Sequence, residues 1–76
     1  MSWNHRVIAH DSKDGVYFRI HEVYYDDNNI PKSWTKEPVT IGSEDLKGIR
    51  WTLNKIKLCL NKPILKAWKF PEEYKP

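Results

Sequence analysis

Leu46, Ile49, Leu53, Ile56 and Leu60 recur at spacings of three and four between Ser43, a helix-start residue, and Pro63, a helix stop. That spacing places five apolar side chains on one face of a single helix, and such a face needs a surface to cover it. No other long helical pattern exists in the 76 residues, so the preceding chain must supply that surface. The expectation is one α+β domain over residues 1–65: a three-stranded antiparallel sheet in the order β-β-β-α, packed on the amphipathic helix. An extended C-terminal tail follows over 66–76.

The sheet is legible in the first half. Residues 3–10 and Val16 to Tyr25 are rich in β-branched and aromatic side chains and flank the turn-rich run Asp11-Ser12-Lys13-Asp14-Gly15, a hairpin signal. Pairing His10 with Gly15 across a four-residue loop sets Val7 opposite Phe18 and Ala9 opposite Val16. Trp3, Val7, Ala9, Val16, Phe18 and Ile20 then share one inward face, whereas a slip of one residue would mix Val7 with Arg19. The same register faces Arg6 with Arg19 on the outer side. That like-charge pair is unfavourable unless it is solvated, bridged by Glu22 or occupied by an anion. Val23 and Tyr25 fall on the side opposite Ile20, which a bulge near His21 and Glu22 would accommodate. Asp26-Asp27-Asn28-Asn29 marks a second reversal, and Pro31, lacking an N–H, puts a third strand over about 30–35 at the rim of the sheet.

Ser43 is a suitable N-cap, with Glu44 and Asp45 in the first turn, where the helix dipole favours negative charge. Gly48 in the interior costs about 1 kcal/mol against Ala, consistent with close approach to the sheet or with a merely tolerated glycine. Trp51 and Leu58, seven residues apart, lie on the far side of the helix from the main stripe. Their cover must come from the tail, a second copy of the chain or another protein. Beyond Pro63, the residues Ile64, Leu65, Trp68 and Phe70 are too irregularly spaced for a helix, so the tail is expected to be extended or turn-rich and to pack back on the body.

Cys59 is the one cysteine, which precludes an intrachain disulfide and suits a reducing, cytoplasmic setting. The N-terminal residues lack the apolar stretch of a signal peptide, and no run of eighteen apolar residues suggests a membrane span. Four Trp, four Tyr and two Phe carry far more aromatic surface than the Leu, Ile and Val count suggests; some of it must be core, and if all ten cannot fit inside so small a body, the remainder form an exposed patch of the kind that marks an interface. Charge is segregated. Residues 1–45 hold five Lys and Arg against eight Asp and Glu, residues 46–71 seven against none, and residues 72–76 one against two. The cationic segment is read as a solvated face complementing the helix dipole, or as an attraction for nucleic acid or an acidic protein.

Catalytic and metal chemistry finds little footing. His5, His10, His21 and Cys59 lack the paired spacings of zinc sites, and the expected register sets His10 and His21 at opposite ends of the hairpin. Cys59, flanked by Leu58 and Leu60, reads as a packing residue and not as a nucleophile. His21 and Glu22 point to opposite faces of a regular strand, so they form an acid/base pair only across a bulge. Gly15, Gly42 and Gly48 are too scattered for a phosphate loop. The expected outer sheet face, with Arg6, His10, Tyr17, Arg19 and His21, offers basic and aromatic side chains suited to stacking single-stranded bases, although a solvated sheet face ordinarily carries such residues.

The stretches Ser2-Trp3-Asn4-His5-Arg6-Val7, His21-Glu22-Val23-Tyr24-Tyr25-Asp26, Ser33-Trp34-Thr35-Lys36-Glu37-Pro38-Val39 and Lys62-Pro63-Ile64-Leu65 resemble a family of short bacterial proteins of uncharacterised function. Its pattern runs S-W-N-x-R-V, H-E-V-Y-Y-D, S-W-T-x-x-P-V, a helix and a K-P-hydrophobic-L ending. The resemblance spans nearly all of residues 2–65 and implies no particular activity, cofactor or substrate. Members of the family tend to carry more acidic helices, whereas this helix has Lys47, Arg50, Lys55 and Lys57, so the resemblance does not imply a basic helix face. The β-β-β-α order also resembles small antitoxin-like and double-stranded-RNA-domain-like folds, an analogy that transfers no function.

The sequence therefore predicts a small non-enzymatic interaction protein with no cofactor, metal, membrane or small-molecule substrate. Its partner is another protein or a second copy, and the alternative is nucleic acid bound by the basic helix or the outer sheet face. The candidate interaction surface comprises Arg6, Arg19, His21, Glu22, Tyr24, Tyr25, Trp34, Trp51 and Leu58. Tyr24, Tyr25 and Trp34 have a structural reading too, as cross-strand aromatic pairs closing the sheet.

Overall fold

The computed structural model describes residues 2–75. Strand β1 (Ser2–Ser12) and strand β2 (Gly15–Tyr25) form a long antiparallel hairpin, and the short β3 (Pro31–Trp34) follows. Helix α1 (Leu46–Lys57) runs into a 3₁₀ turn (Leu58–Asn61), after which β4 (Ile64–Lys66) and β5 (Glu73–Tyr74) complete the chain. The fold is α+β with one α-helix, as the sequence predicts, but the sheet has five strands in the order β3-β2-β1-β4-β5. It is mixed and not purely antiparallel, because β4 pairs parallel to β1 through Ile8↔Leu65 and Ala9↔Lys66. The tail packs back by joining this sheet, with β5 antiparallel to β4. A hydrogen bond from Ala67 N to the Ala9 carbonyl, 2.9 Å, and an ion pair between Lys66 and Glu72, 3.0 Å, fasten it there.

The hairpin register differs from the expected one by two residues. Val7 pairs with Ile20, Ala9 with Phe18 and Ser12 with Gly15, so the turn is the two-residue Lys13-Asp14 and not a four-residue loop. Gly15 has φ +117°, a value other residues rarely tolerate, and the Ser12 hydroxyl donates to its carbonyl at 2.9 Å. A shift of two keeps each side chain on its expected face. It also dissolves the Arg6–Arg19 pair, because Arg6 now faces His21 and Arg19 faces Ile8.

Pairing runs unbroken to Ser2↔Tyr25, so the expected bulge at His21 and Glu22 is absent; a register shift falls instead between Tyr24 and Tyr25, where β2 meets β3. Val23 changes face relative to Ile20 for another reason: both faces of the hairpin are used. Ile8, Val23 and Leu65 form the buried core on one face, packed against Tyr25, Trp34, Ala67 and Phe70. The opposite face bears Val7, Ala9, Phe18 and Ile20. The second reversal forms as expected, with Asn29 at φ 61° and the Asp26 carboxylate accepting from the N–H groups of Asn28 and Ile30 at 2.8 and 3.0 Å. Strand β3 lies at the rim, opening with Pro31.

The helix departs most from expectation. Asp45, not Ser43, is the N-cap, its carboxylate accepting from Gly48 N at 2.7 Å. Of the five-residue stripe, Ile56 is buried and Ile49 half-buried, while Leu46, Leu53 and Leu60 are 85, 47 and 68 % exposed. The 3₁₀ turn, with buried Cys59, carries the packing on β1. Because β4 reaches along β1 only to Ile8, the turn can lie beside the N-terminal half of β1. Helix α1 itself buries Ile56 alone.

Gly48 is required by the cap and not by the sheet. A Cβ there would overlap the Ser43 side chain and crowd the Asp45 carboxylate. Helix propensity alone would make Gly48→Ala stabilising by about 1 kcal/mol. The expected outcome is the opposite sign: loss of ellipticity at 222 nm and a lower thermal midpoint, recovered when Ser43→Gly is added in the same chain.

Candidate interaction surface

A groove of about 650 Å³ opens between the sheet and the helical segment. Val7, Phe18 and Ile20 form its sheet wall, Ile56, Cys59 and Leu60 its helical wall, and Pro38, Val39 and Ile41 contribute from the loop before the helix. The loop is held by a hydrogen bond from Val39 N to the Ile20 carbonyl at 2.8 Å. Phe18, Ile41, Leu53 and Leu60 stay exposed along the groove and the neighbouring helix flank. The chain therefore folds with a cleft where an amphipathic helix would ordinarily have buried its stripe. Trp51 and Leu58, 63 and 60 % exposed on the other flank, are not covered by the tail, which lies at the far edge of the sheet beyond β4. The Lys55 ammonium sits 5.1 Å from the Trp51 ring centre.

The opposite sheet face, expected to be solvated, is largely buried and polar. Arg6 donates from Nη1 to the Tyr25 hydroxyl and from Nη2 to the Pro63 carbonyl, both at 2.7 Å, while its Nε is buried without a partner. Tyr25 in turn donates to Asn4 Oδ1 at 2.8 Å. Arg6 thus ties β1, β2 and the chain entering β4 through neutral groups, and Glu22 does not bridge it. Glu22 projects from the other face and accepts from the Tyr24 hydroxyl at 2.9 Å.

His21 is buried beside His10, with their Nε2 atoms 3.1 Å apart, so the two rings meet instead of lying at opposite ends of the hairpin. The Thr35 carbonyl, 2.9 Å from His21 Nδ1, can only accept, so Nδ1 carries the proton. His21 Nε2 must then accept from the Nε2–H of His10. Trp34 stands edge-on to both rings, Tyr17 stacks on His10, and Phe70 packs on Trp34. Burial lowers both histidines from their usual 6.5. Arg19 adds to this at His10, where Asp11 opposes it; at His21 the hydrogen bonds to Thr35 and Glu37 oppose the lowering, and His10 and Arg19 reinforce it.

The candidate residues are therefore dispersed. Arg6, His21 and Tyr25 are internal structure on one sheet face, with Trp34 half-buried over them, while Arg19 lies over the Tyr17 ring on the same face, 5.6 Å from its centre. Glu22 and Tyr24 lie on the other face, and Trp51 and Leu58 on the far flank of the helix. Sequence reasoning placed Phe18, Leu53 and Leu60 in the core, and they are surface. Periodicity carries no signal that separates them from core, because it reports one apolar side and not what covers it.

Cys59 is buried, and burial pushes its thiol up, which makes it a packing residue at neutral pH. Among the described residues no three or more His, Cys, Asp and Glu side chains gather in a metal-holding group, and no helix is long and apolar enough to cross a membrane. No family model, no curated protein and no solved structure matches the chain.

Two outcomes follow from the polar face. For His10 and His21 the unfolded chain takes up protons near 6.5 while the native state resists, so stability is expected to fall as pH drops below about 6.5. Asp26 and Glu72 start from 3.8 and 4.5 and are lowered by their hydrogen bonds, so their loss comes at lower pH. Urea midpoints measured from pH 7.5 to 5 should show this decline, with a shallower slope in His10→Gln. Arg6→Met should cost about 2–4 kcal/mol in the same assay, since two charge-assisted hydrogen bonds disappear and the Pro63 carbonyl loses its donor.

Proposed function

We propose that this chain is a small, non-catalytic protein-interaction module, acting in a reducing cytoplasm, whose open groove is covered by another protein or by a second copy. The observation that carries this reading is the groove itself, with Leu46 and Leu53 also exposed on the helix. Small folded domains rarely leave contiguous apolar surface of this kind unpartnered, and a cleft between a helix and a sheet suits the insertion of an apolar segment. The non-catalytic part is supported by the chemistry of the candidates: a buried Cys59 thiol, a His21 ring bonded at both nitrogens, and Glu22 on the face opposite His21.

A second reading, nucleic-acid binding, keeps its basis in the seven cations of residues 46–71. Its other basis, the outer sheet face, is reduced to Tyr17, Arg19 and part of His10 by the burial of Arg6 and His21. Binding to mixed DNA and RNA pools at two salt concentrations separates the two, since phosphate contacts lose affinity steeply with salt.

The test of the main reading compares wild type with Phe18→Asp. Peptide-display selection should enrich apolar sequences on wild type alone, or sedimentation should show self-association that the variant loses. A wild-type chain that neither enriches peptides nor self-associates overturns the reading.

A further inference from the structure

Resting on the interaction reading above, we infer that the groove receives an acidic amphipathic segment of a partner protein, its apolar side chains between Phe18 and Leu60 and its carboxylates against Arg50, Lys57 and Lys62. The charge around the helical wall points to this chemistry. Arg50 and Lys57 follow Ile49 and Ile56 by one residue, about 100° around the helix, and so stand just outside the Leu46 and Leu53 flank. Lys62 itself lines the groove. The groove's lining contains no Asp or Glu, and residues 46–71 contain none either. Among the described residues, the ion pairs are Lys32–Asp26 and Lys66–Glu72, which leaves these three cations without a carboxylate partner.

A second copy fits less well. Two-fold pairing of this surface would bring two sets of Arg50, Lys57 and Lys62 into one interface with no carboxylate in the groove lining to offset them, and like charges gathered across an interface oppose association. Nucleic acid would satisfy the cations but leave Phe18, Ile41 and Leu60 facing water, because phosphate contacts do not cover an apolar cleft. An amphipathic acidic segment satisfies both features at once, its apolar stripe supplying affinity and its carboxylates supplying orientation and selectivity.

The test uses the full chain and three fluorescent helical peptides of equal length: leucines at i, i+3, i+4 and i+7 on a glutamate background, the same leucines on a lysine background, and the glutamate peptide with its leucines replaced by serine. Anisotropy titrations should show the Leu/Glu peptide binding about tenfold tighter than the Leu/Lys peptide, in keeping with two or three rim charge contacts. The serine peptide should not bind measurably. Arg50→Glu/Lys57→Glu, whose side chains are exposed, should retain the wild-type circular dichroism spectrum and reverse the preference. Binding without charge preference overturns the inference while leaving the interaction reading intact, as does self-association that blocks the peptide and is lost in Phe18→Asp. Equal binding of the serine peptide, or displacement of the Leu/Glu peptide by an oligonucleotide with a steeper salt dependence, overturns it in favour of a phosphate ligand. Failure of every peptide, together with a monomeric chain, removes both.

Discussion

The register of the β1–β2 hairpin, set by the two-residue turn at Lys13-Asp14 and the positive φ of Gly15, determines what every other element must cover. Eleven consecutive pairs leave no slack for a bulge, so side chains alternate strictly from Ser2 to Tyr25. One face then presents Arg6, Ile8, His10, His21, Val23 and Tyr25, a mixture no solvent-facing surface requires. It is made compact by β4, by Trp34 from β3 and by Phe70 from the tail. The buried cation of Arg6 persists because two neutral oxygens meet it at short range, and the histidine pair persists because His10 Nε2 and both nitrogens of His21 have hydrogen-bond partners.

That arrangement leaves one flank of the helical segment without cover, although the sheet face of Val7, Phe18 and Ile20 lies open beside it. The C-terminal segment takes the edge of β1 at Ile8 and Ala9, and the 3₁₀ turn takes what remains. Only Ile56 and Cys59 become buried in the helical segment. Ile49 is half-buried, and Leu46, Trp51 and Leu53 remain at the surface of α1. The groove lies between the sheet face bearing Val7, Phe18 and Ile20 and the side of the helical segment bearing Ile56 and Leu60, two apolar surfaces that do not close on each other. Its apolar walls therefore stay open to solvent, with Phe18 and Leu60 half or more exposed even though Tyr74 from β5 meets the Phe18 ring.

Much of the local structure was readable from the chain. The hairpin, the Asp26–Asn29 reversal, the rim position of the Pro31 strand and the single helix all rest on short-range rules of turns, proline and periodicity. The site was less readable. The leucine stripe looked like core because periodicity reports amphipathicity and not the identity of the covering surface. His10 and His21 looked remote because their contact depends on a two-residue shift in register. Arg6 and His21 looked like solvent-facing residues because the strand that covers Ile8, β4, comes from the tail.

By itself the sequence determined the elements and the segregation of charge, since turn chemistry, capping residues and apolar spacing act within a few residues of one another. Which face of the hairpin became the core, where the helix came to rest and which leucines stayed in water were decided only in the tertiary structure. Those outcomes hang on one long-range pairing, Leu65 beside Ile8, that joins chain segments more than fifty residues apart and whose gain depends on all of its neighbours at once.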